Sequence, residues 1–133
     1  MTTKPPKDAI GELMQNQIKN SLWRTPPPSE QPNLSLARWS VMETQTGDHH
    51  LVGYNLDDRE GRVSTAIVAF DPGSLKATTR SGRIYQLVGG SGYDSDGAWV
   101  WDNWSRANRF SGKDVTDQYE KKIAKAAAPP KTG

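Results

Sequence analysis

Cysteine is absent from the 133-residue chain, and histidine occurs only at His49 and His50. The absence of thiols excludes disulfide bonds, thiolate zinc sites and cysteine nucleophiles, and it fits a reducing compartment. On a strand, adjacent side chains point to opposite faces, so the two histidines are not expected to share a metal ion. We therefore expect no metal and no cofactor, and we expect this pair to form an exposed polar tip.

Long hydrophobic runs are also missing. No stretch approaches the roughly 18 apolar residues that a membrane span needs, and the opening MTTKPPKDAIGELMQ lacks the apolar core of a secretory signal. The net charge is 17 minus 15, or +2, which does not by itself indicate a nucleic-acid partner. These features predict a soluble, cytoplasmic protein, a monomer or a homodimer, that does not bind membranes.

Catalytic motifs fail at individual positions of the segment GGSGYDSDG. Tyr93 stands where a nucleophile elbow needs glycine, and Ser95 stands where a dinucleotide fingerprint needs its third glycine. A calcium loop centred on Gly97 would lack its first aspartate and its last glutamate. The acidic turn at 57–60 has no partnered carboxylate in a cleft. We therefore predict that the chain is not an enzyme.

Proline-rich composition divides the chain into segments. RTPPPSEQPN, residues 24–33, carries four prolines in ten residues and is typical of an extended linker. Before it lies an N-terminal amphipathic helical arm, 1–23, and after it a β-meander core with a tryptophan-rich helix, 34–110. Residues 111–133 form a helical or disordered C-terminal tail in this division.

Both arms repeat apolar residues at helical spacing. In the N-terminal arm, Asp8 is in position to cap a helix, and one face carries Ile10, Leu13, Met14, Ile18 and Leu22. This stripe packs on the protein's own sheet or on a second copy, or it docks on another protein through Leu13 and Ile18. The C-terminal segment has an apolar residue at every fourth position: Val115, Tyr119 and Ile123.

The middle of the chain alternates polar and apolar residues with period two. The candidate strands LARWSVMET, HLVGYNL, RVSTAIVAF, LKATTR and RIYQLV are separated by turn residues. Five short strands in succession predict an α+β fold, with a five-stranded antiparallel β-meander that forms a curled sheet or an SH3-like half-barrel between flanking helices.

The fourth and fifth strands define the predicted binding face. A two-residue loop, Ser81 and Gly82, would place two arginines opposite each other and turn the more apolar alternate positions inward. Such a pair suits a carboxylate or phosphate, although a solvated tip whose charges prevent edge pairing is the plainer interpretation. The outward set is Lys76, Arg80, Arg83 and Tyr85, with Arg106 and Arg109 nearby.

Three tryptophans follow within six positions. Asp94 or Asp96 can cap a helix that begins near Gly97, with Trp101 and Trp104 on or beside one face. Trp99 would lie about a third of a turn away. The indoles are expected to plug the open end of the sheet, or else Trp99, Trp101 and Trp104 form a protein interface, with Trp99 the first candidate.

The run REGRVSTAIVAFD, continued by TRSGRIYQLVGGSGYDSDGAWVWDNW, resembles small uncharacterised accessory proteins of bacterial plasmids, prophages and integrated mobile elements. The resemblance covers about residues 50–104. It implies a bacterial, cytoplasmic protein and supplies no catalytic residues.

Three functions are compatible with these features. The leading hypothesis is a non-enzymatic binding module whose basic, aromatic hairpin face binds an anionic partner, either nucleic acid or an acidic protein surface. The second is a protein–protein adaptor or inhibitor, such as a phage- or plasmid-encoded anti-defence factor, that docks on a host protein through the tryptophans or the N-terminal helix. The third is an enzyme with an unrecognised site.

Overall fold

Runs rich in β-branched and aromatic residues become strands, and the segments between them become turns and two helices. The computed structural model describes residues 32–127, so the predictions for the N-terminal arm, including Leu13 and Ile18, lie outside the described residues. The elements of this part are β1 (Asn33–Thr44), β2 (His49–Asn55), β3 (Glu60–Asp71), β4 (Lys76–Thr79), β5 (Ile84–Ser91), α1 (Ser95–Asn108), β6 (Gly112–Asp114) and α2 (Thr116–Ala127).

Strands β1 to β5 form a closed mixed barrel, in the order β2-β3-β4-β5-β1, and a β1–β2 pairing completes the ring. Successive strands pair antiparallel, as the sequence predicts. The prediction of a purely antiparallel sheet is wrong, because β1 and β5 pair in parallel, with Leu34 beside Tyr85. The first and fifth strands of a meander run in the same direction, so closing the ring requires a parallel pair.

Strand β1 pairs with β2, β5 and the short β6, and a bulge interrupts its pairing with β2 and with β5. The pairing with β2 shifts register between Ala37 and Ser40, and the pairing with β5 shifts between Ala37 and Trp39. Arg38, inside the bulge, has a left-handed φ of 47°. A bulge bends its strand and increases the twist, which a small barrel needs for closure. The Trp39 indole is buried and donates to the Gly89 carbonyl oxygen at 3.1 Å.

The apolar side chains form two clusters on opposite faces of the sheet. One cluster joins β1, β2, β4 and β5 to Val115 and to Tyr119 of α2. The other lies between α1 and the strands, and it contains Val52 and Trp104. Leu51 belongs to the first cluster and Val52 to the second, and successive strand residues point to opposite faces. Trp104 therefore packs α1 against the side of the barrel instead of plugging an open end.

Helix α1 confirms the predicted tryptophan-rich helix. Asp94 is its N-cap, and the Asp94 carboxylate accepts from the Gly97 amide at 2.8 Å. The helix approaches β2 closely, since a Cβ atom added at Gly97 would lie 2.7 Å from the Gly53 carbonyl oxygen. Arg109 ends the helix in a left-handed conformation, and its amide donates to the Arg106 carbonyl oxygen at 3.2 Å. Neither described helix combines the length and the apolar character of a membrane span.

Candidate functional site

The hairpin between β4 and β5 has a longer loop than the sequence suggested. The Thr79 amide donates to the Arg83 carbonyl oxygen at 3.0 Å, and the Gly82 amide donates back to the Thr79 carbonyl oxygen at 2.8 Å. The loop therefore contains three residues, Arg80, Ser81 and Gly82, and Gly82 adopts a φ of 93° that suits glycine. A register change of one residue moves every affected side chain to the other face of the sheet.

This register separates the hairpin residues that were predicted to bind an anion: two are exposed and two are buried. Lys76 and Arg80 are exposed. Arg83 is only 4% exposed and Tyr85 only 1% exposed, so the prediction that both point outward is wrong. Tyr85 pairs with Ala77 and lies in the core instead of opposite Thr78. The four side chains do not form one surface.

The two buried members belong to a charged cluster of the interior. The Tyr85 hydroxyl accepts from Arg62 Nε at 3.1 Å, and Arg62 Nη1 lies 3.6 Å from the Glu60 carboxylate. Burial lowers the pKa of the Arg83 guanidinium, and the positive charge of Arg62 lowers it further, whereas Tyr85 opposes the change. Buried charges are costly unless they are paired and hydrogen-bonded, so this cluster constrains the interior of the fold.

Two exposed arginines contact the β1–β2 turn, residues 45–48. Arg80 Nη2 lies 3.4 Å from Asp48 of that turn, and the backbone carbonyl oxygen of Arg109 accepts from the side-chain Nε2 of Gln45 at 3.0 Å. Arg106 forms an ion pair with Asp102 one helical turn away, at 3.5 Å. Arg80 and Arg106 therefore each have an acidic neighbour of this chain, although exposed pairs of this kind are weak.

The three tryptophans of α1 have different environments. Trp104 is buried and Trp101 partly buried, and their ring centroids lie 5.5 Å apart. Trp99 is 48% exposed, in agreement with its predicted departure from the apolar stripe, and the side chain of Tyr93, just before the helix, is 75% exposed. These two residues, Tyr93 and Trp99, are called the aromatic face below.

The aromatic face lies at the N-terminus of α1, which an ion pair attaches to the barrel. Arg38 Nε and Nη2 each lie 3.0 Å from the same Asp94 oxygen, and the Asp94 side chain is largely buried. The guanidinium carbon of Arg38 lies 4.8 Å from the ring centroid of Tyr54. Sequence reasoning missed Arg38 and Tyr93. Arg38 lies 56 positions from Asp94, and no local pattern links the two residues.

The two histidines point to different elements and are not an exposed tip. His50 is buried, its Nδ1 lies 2.9 Å from the Ser64 carbonyl oxygen, and its ring centroid is 4.8 Å from that of Trp104. His49 Nδ1 lies 2.6 Å from the Tyr119 hydroxyl, and its Nε2 lies 3.1 Å from the Glu43 carboxylate. Within residues 32–127, no three His, Asp or Glu side chains are grouped as metal ligands.

Comparison of the chain with protein-family models, with curated proteins and with solved structures finds no match. A function for this chain therefore has to be inferred from its own residues.

Proposed function

We propose that the chain is a binding module without catalytic activity, and that it docks on a partner protein through the aromatic face. The supporting observation is the exposure of Trp99 on α1 and of Tyr93 just before it, 48% and 75%, where Trp104 and Val100 pack the helix against the barrel. Tryptophan and tyrosine are enriched among the residues that contribute most to protein–protein affinity.

The position of Trp99 on the helix supports this role. Gly97, Val100, Trp104 and Ser105 are the buried residues of α1. At 100° per residue, Trp99 lies on the opposite side of the helix from Gly97 and Trp104, together with the exposed Arg106. The indole is therefore not required to complete the core, and its burial against a partner would remove apolar surface from water.

The resemblance to accessory proteins of mobile elements suggests the kind of partner. Small accessory proteins of plasmids and prophages often act by occupying a host surface or a nucleic acid, and an exposed indole suits the former, so we propose a host protein as the target. An adaptor or an inhibitor, including an anti-defence factor, needs only such a surface and no reacting groups.

Site-directed photo-crosslinking tests the proposal in cells of the natural host. A benzophenone amino acid is placed at position 99 or 93, and the matched control carries it at Val68, an exposed apolar residue of β3. We expect the same host protein to be linked from 99 and 93 and not from 68. An excess of wild-type protein should compete for this host protein, whereas an excess of the double variant Trp99→Ala/Tyr93→Ala should not. Adducts that are identical at all three positions, or absent from 99 and 93, would contradict the proposal.

An anionic partner, nucleic acid in particular, is the second hypothesis. Arg80 pairs with Asp48 of the β1–β2 turn, the backbone of Arg109 contacts Gln45 of the same turn, and Arg106 lies in the last turn of α1; all three arginines are exposed. Three phosphate contacts on a single strand would give a log–log salt slope of about −2.

Titration of labelled single- and double-stranded oligonucleotides at low salt tests this second hypothesis. Arg80→Gln with Arg109→Gln should weaken binding and reduce the salt slope. The control Lys76→Gln, at the other end of β4, should leave both unchanged. A flat titration with the wild-type protein would exclude this hypothesis.

A further inference from the structure

We infer that the partner presents arginine to the outer side of α1, where the indole of Trp99 stacks on the guanidinium and the carboxylates of Asp96 and Asp102 pair with it. This inference rests on the proposed function and specifies its ligand chemistry. It assigns the aromatic face a cationic partner, the opposite sign from the partner that the sequence suggested.

Helical spacing places the two carboxylates on either side of the indole. Asp96 is three residues before Trp99, Asp102 is three residues after it, and all three are exposed. Residues three apart on a helix are neighbours, with Cβ atoms about 5–6 Å apart. An approaching cation would therefore meet the indole with an acidic side chain on each side.

Arg106 is the competing cation on this surface. Its Nη2 lies 3.5 Å from Asp102, and both side chains are about 70% exposed, at 72% and 68%. Such an exposed pair contributes little and exchanges readily with solvent, so a partner's guanidinium can replace it. By contrast, Arg38 remains paired with the largely buried Asp94, and that pair is not part of the binding surface.

Arginine fits this surface better than lysine. The guanidinium is planar, it stacks on aromatic rings, and its N–H groups can bond two carboxylates at once. Cation–π contacts are strongest over tryptophan. The net charge of the whole chain is +2, so attraction of an arginine peptide to one surface would reflect local acids rather than overall charge.

A short peptide of alternating arginine and glycine is the probe, and the matched control peptide carries citrulline in place of arginine. Binding is measured by the anisotropy of a dye on the peptide. Its location is measured by fluorine NMR of protein that carries 5-fluorotryptophan, with the Trp99 signal identified by its loss in Trp99→Phe. We expect the arginine peptide to move the Trp99 signal and leave the buried Trp39 signal in place.

The variants separate the indole from the carboxylates. Trp99→Leu should lower the affinity for the arginine peptide about threefold. The double variant Asp96→Asn/Asp102→Asn should lower it about fivefold. The control Asp117→Asn, an exposed residue of α2, should bind as the wild type does. Unchanged Trp39 and Trp104 signals establish that each variant is folded.

Three results would overturn the inference: a stationary Trp99 signal, equal binding of the citrulline peptide, or equal affinity of the Asp96/Asp102 and Asp117 variants. Its failure is distinguishable from that of the proposed function. If position 99 crosslinks to a host protein while the arginine peptide does not bind, the docking surface stands and only its cationic ligand is wrong.

Discussion

Arg38 and Asp94 connect the bulge of β1 to the first turn of α1. One oxygen of Asp94 accepts from Arg38 at 3.0 Å, and the other accepts from the Gly97 amide at 2.8 Å. A single carboxylate thus caps the helix and attaches its N-terminus to the barrel. Tyr93 precedes this cap in the sequence and Trp99 follows it, so the position of the aromatic face depends on Asp94.

Replacement of Asp94 should destabilise the fold. Asp94→Ala removes the N-cap and the Arg38 pair together, so we expect the free energy of unfolding to fall by about 1–2 kcal/mol. The control Asp96→Ala removes an exposed acid from the same helical turn and should cost only about 0.3–1 kcal/mol. Urea denaturation of both variants measures the difference, and equal midpoints would show that the cap and the Arg38 pair contribute no more than an exposed acid of the first turn.

Arg83 and Arg80 should respond differently to truncation, although both are arginines of one hairpin. Arg83→Ala leaves a cavity and disrupts the buried cluster around Tyr85, so we expect a loss of about 3 kcal/mol in the free energy of unfolding. Arg80→Ala removes an exposed pair with Asp48 and should change it by less than about 1 kcal/mol. If both variants change the free energy of unfolding by equally small amounts in urea denaturation, the result would contradict the buried position of Arg83 and favour a two-residue loop with Arg83 facing outward.

Acidification should weaken the fold through His50. Burial lowers the pKa of this imidazole from its ordinary value near 6.5, and the hydrogen bond to the Ser64 carbonyl oxygen only partly opposes this change. The unfolded chain then binds the proton more readily than the native chain. The contribution of His50 to stability is therefore complete above about pH 6.5 and declines as the pH falls toward the lowered native pKa.

Denaturation between about pH 7 and about pH 5 measures this decline. His50→Gln removes the titrating group and should flatten the dependence, even if the variant is less stable at every pH. His49→Gln keeps the buried imidazole and should retain the decline that His50 causes. An equal slope in wild type and His50→Gln would contradict the assignment.

Gly97→Ala should reverse the usual preference of helices for alanine. Within a helix, alanine is normally favoured over glycine by about 1 kcal/mol. At position 97, however, the added Cβ atom would lie 2.7 Å from the Gly53 carbonyl oxygen and push α1 away from β2. We expect a net loss of about 2 kcal/mol. The control Gly90→Ala places its Cβ in open space and should have a small effect; a more stable Gly97→Ala protein would refute the close approach.

Local patterns in the sequence were sufficient for the first five strands and for α1, but they did not predict β6. Period-two alternation located the first five strands, and helical spacing placed α1 and the exposure of Trp99, because both signals come from neighbouring residues on one element. The register of the β4–β5 hairpin was beyond such reasoning. TRSGR can form a loop of two or three residues, and one residue decides whether Arg83 and Tyr85 face water or the interior.

Only the tertiary structure settled that choice. Closure of the barrel places Tyr85 beside Leu34 and brings Arg62 to its hydroxyl, and no local propensity contains those contacts. The same holds for Arg38 and Asp94, which meet because the bulge in β1 and the start of α1 come together in space. The sequence by itself determined the first five strands and α1, because their patterns are local. The long-range contacts decided which charges remain at the surface, because burial depends on what the rest of the chain covers.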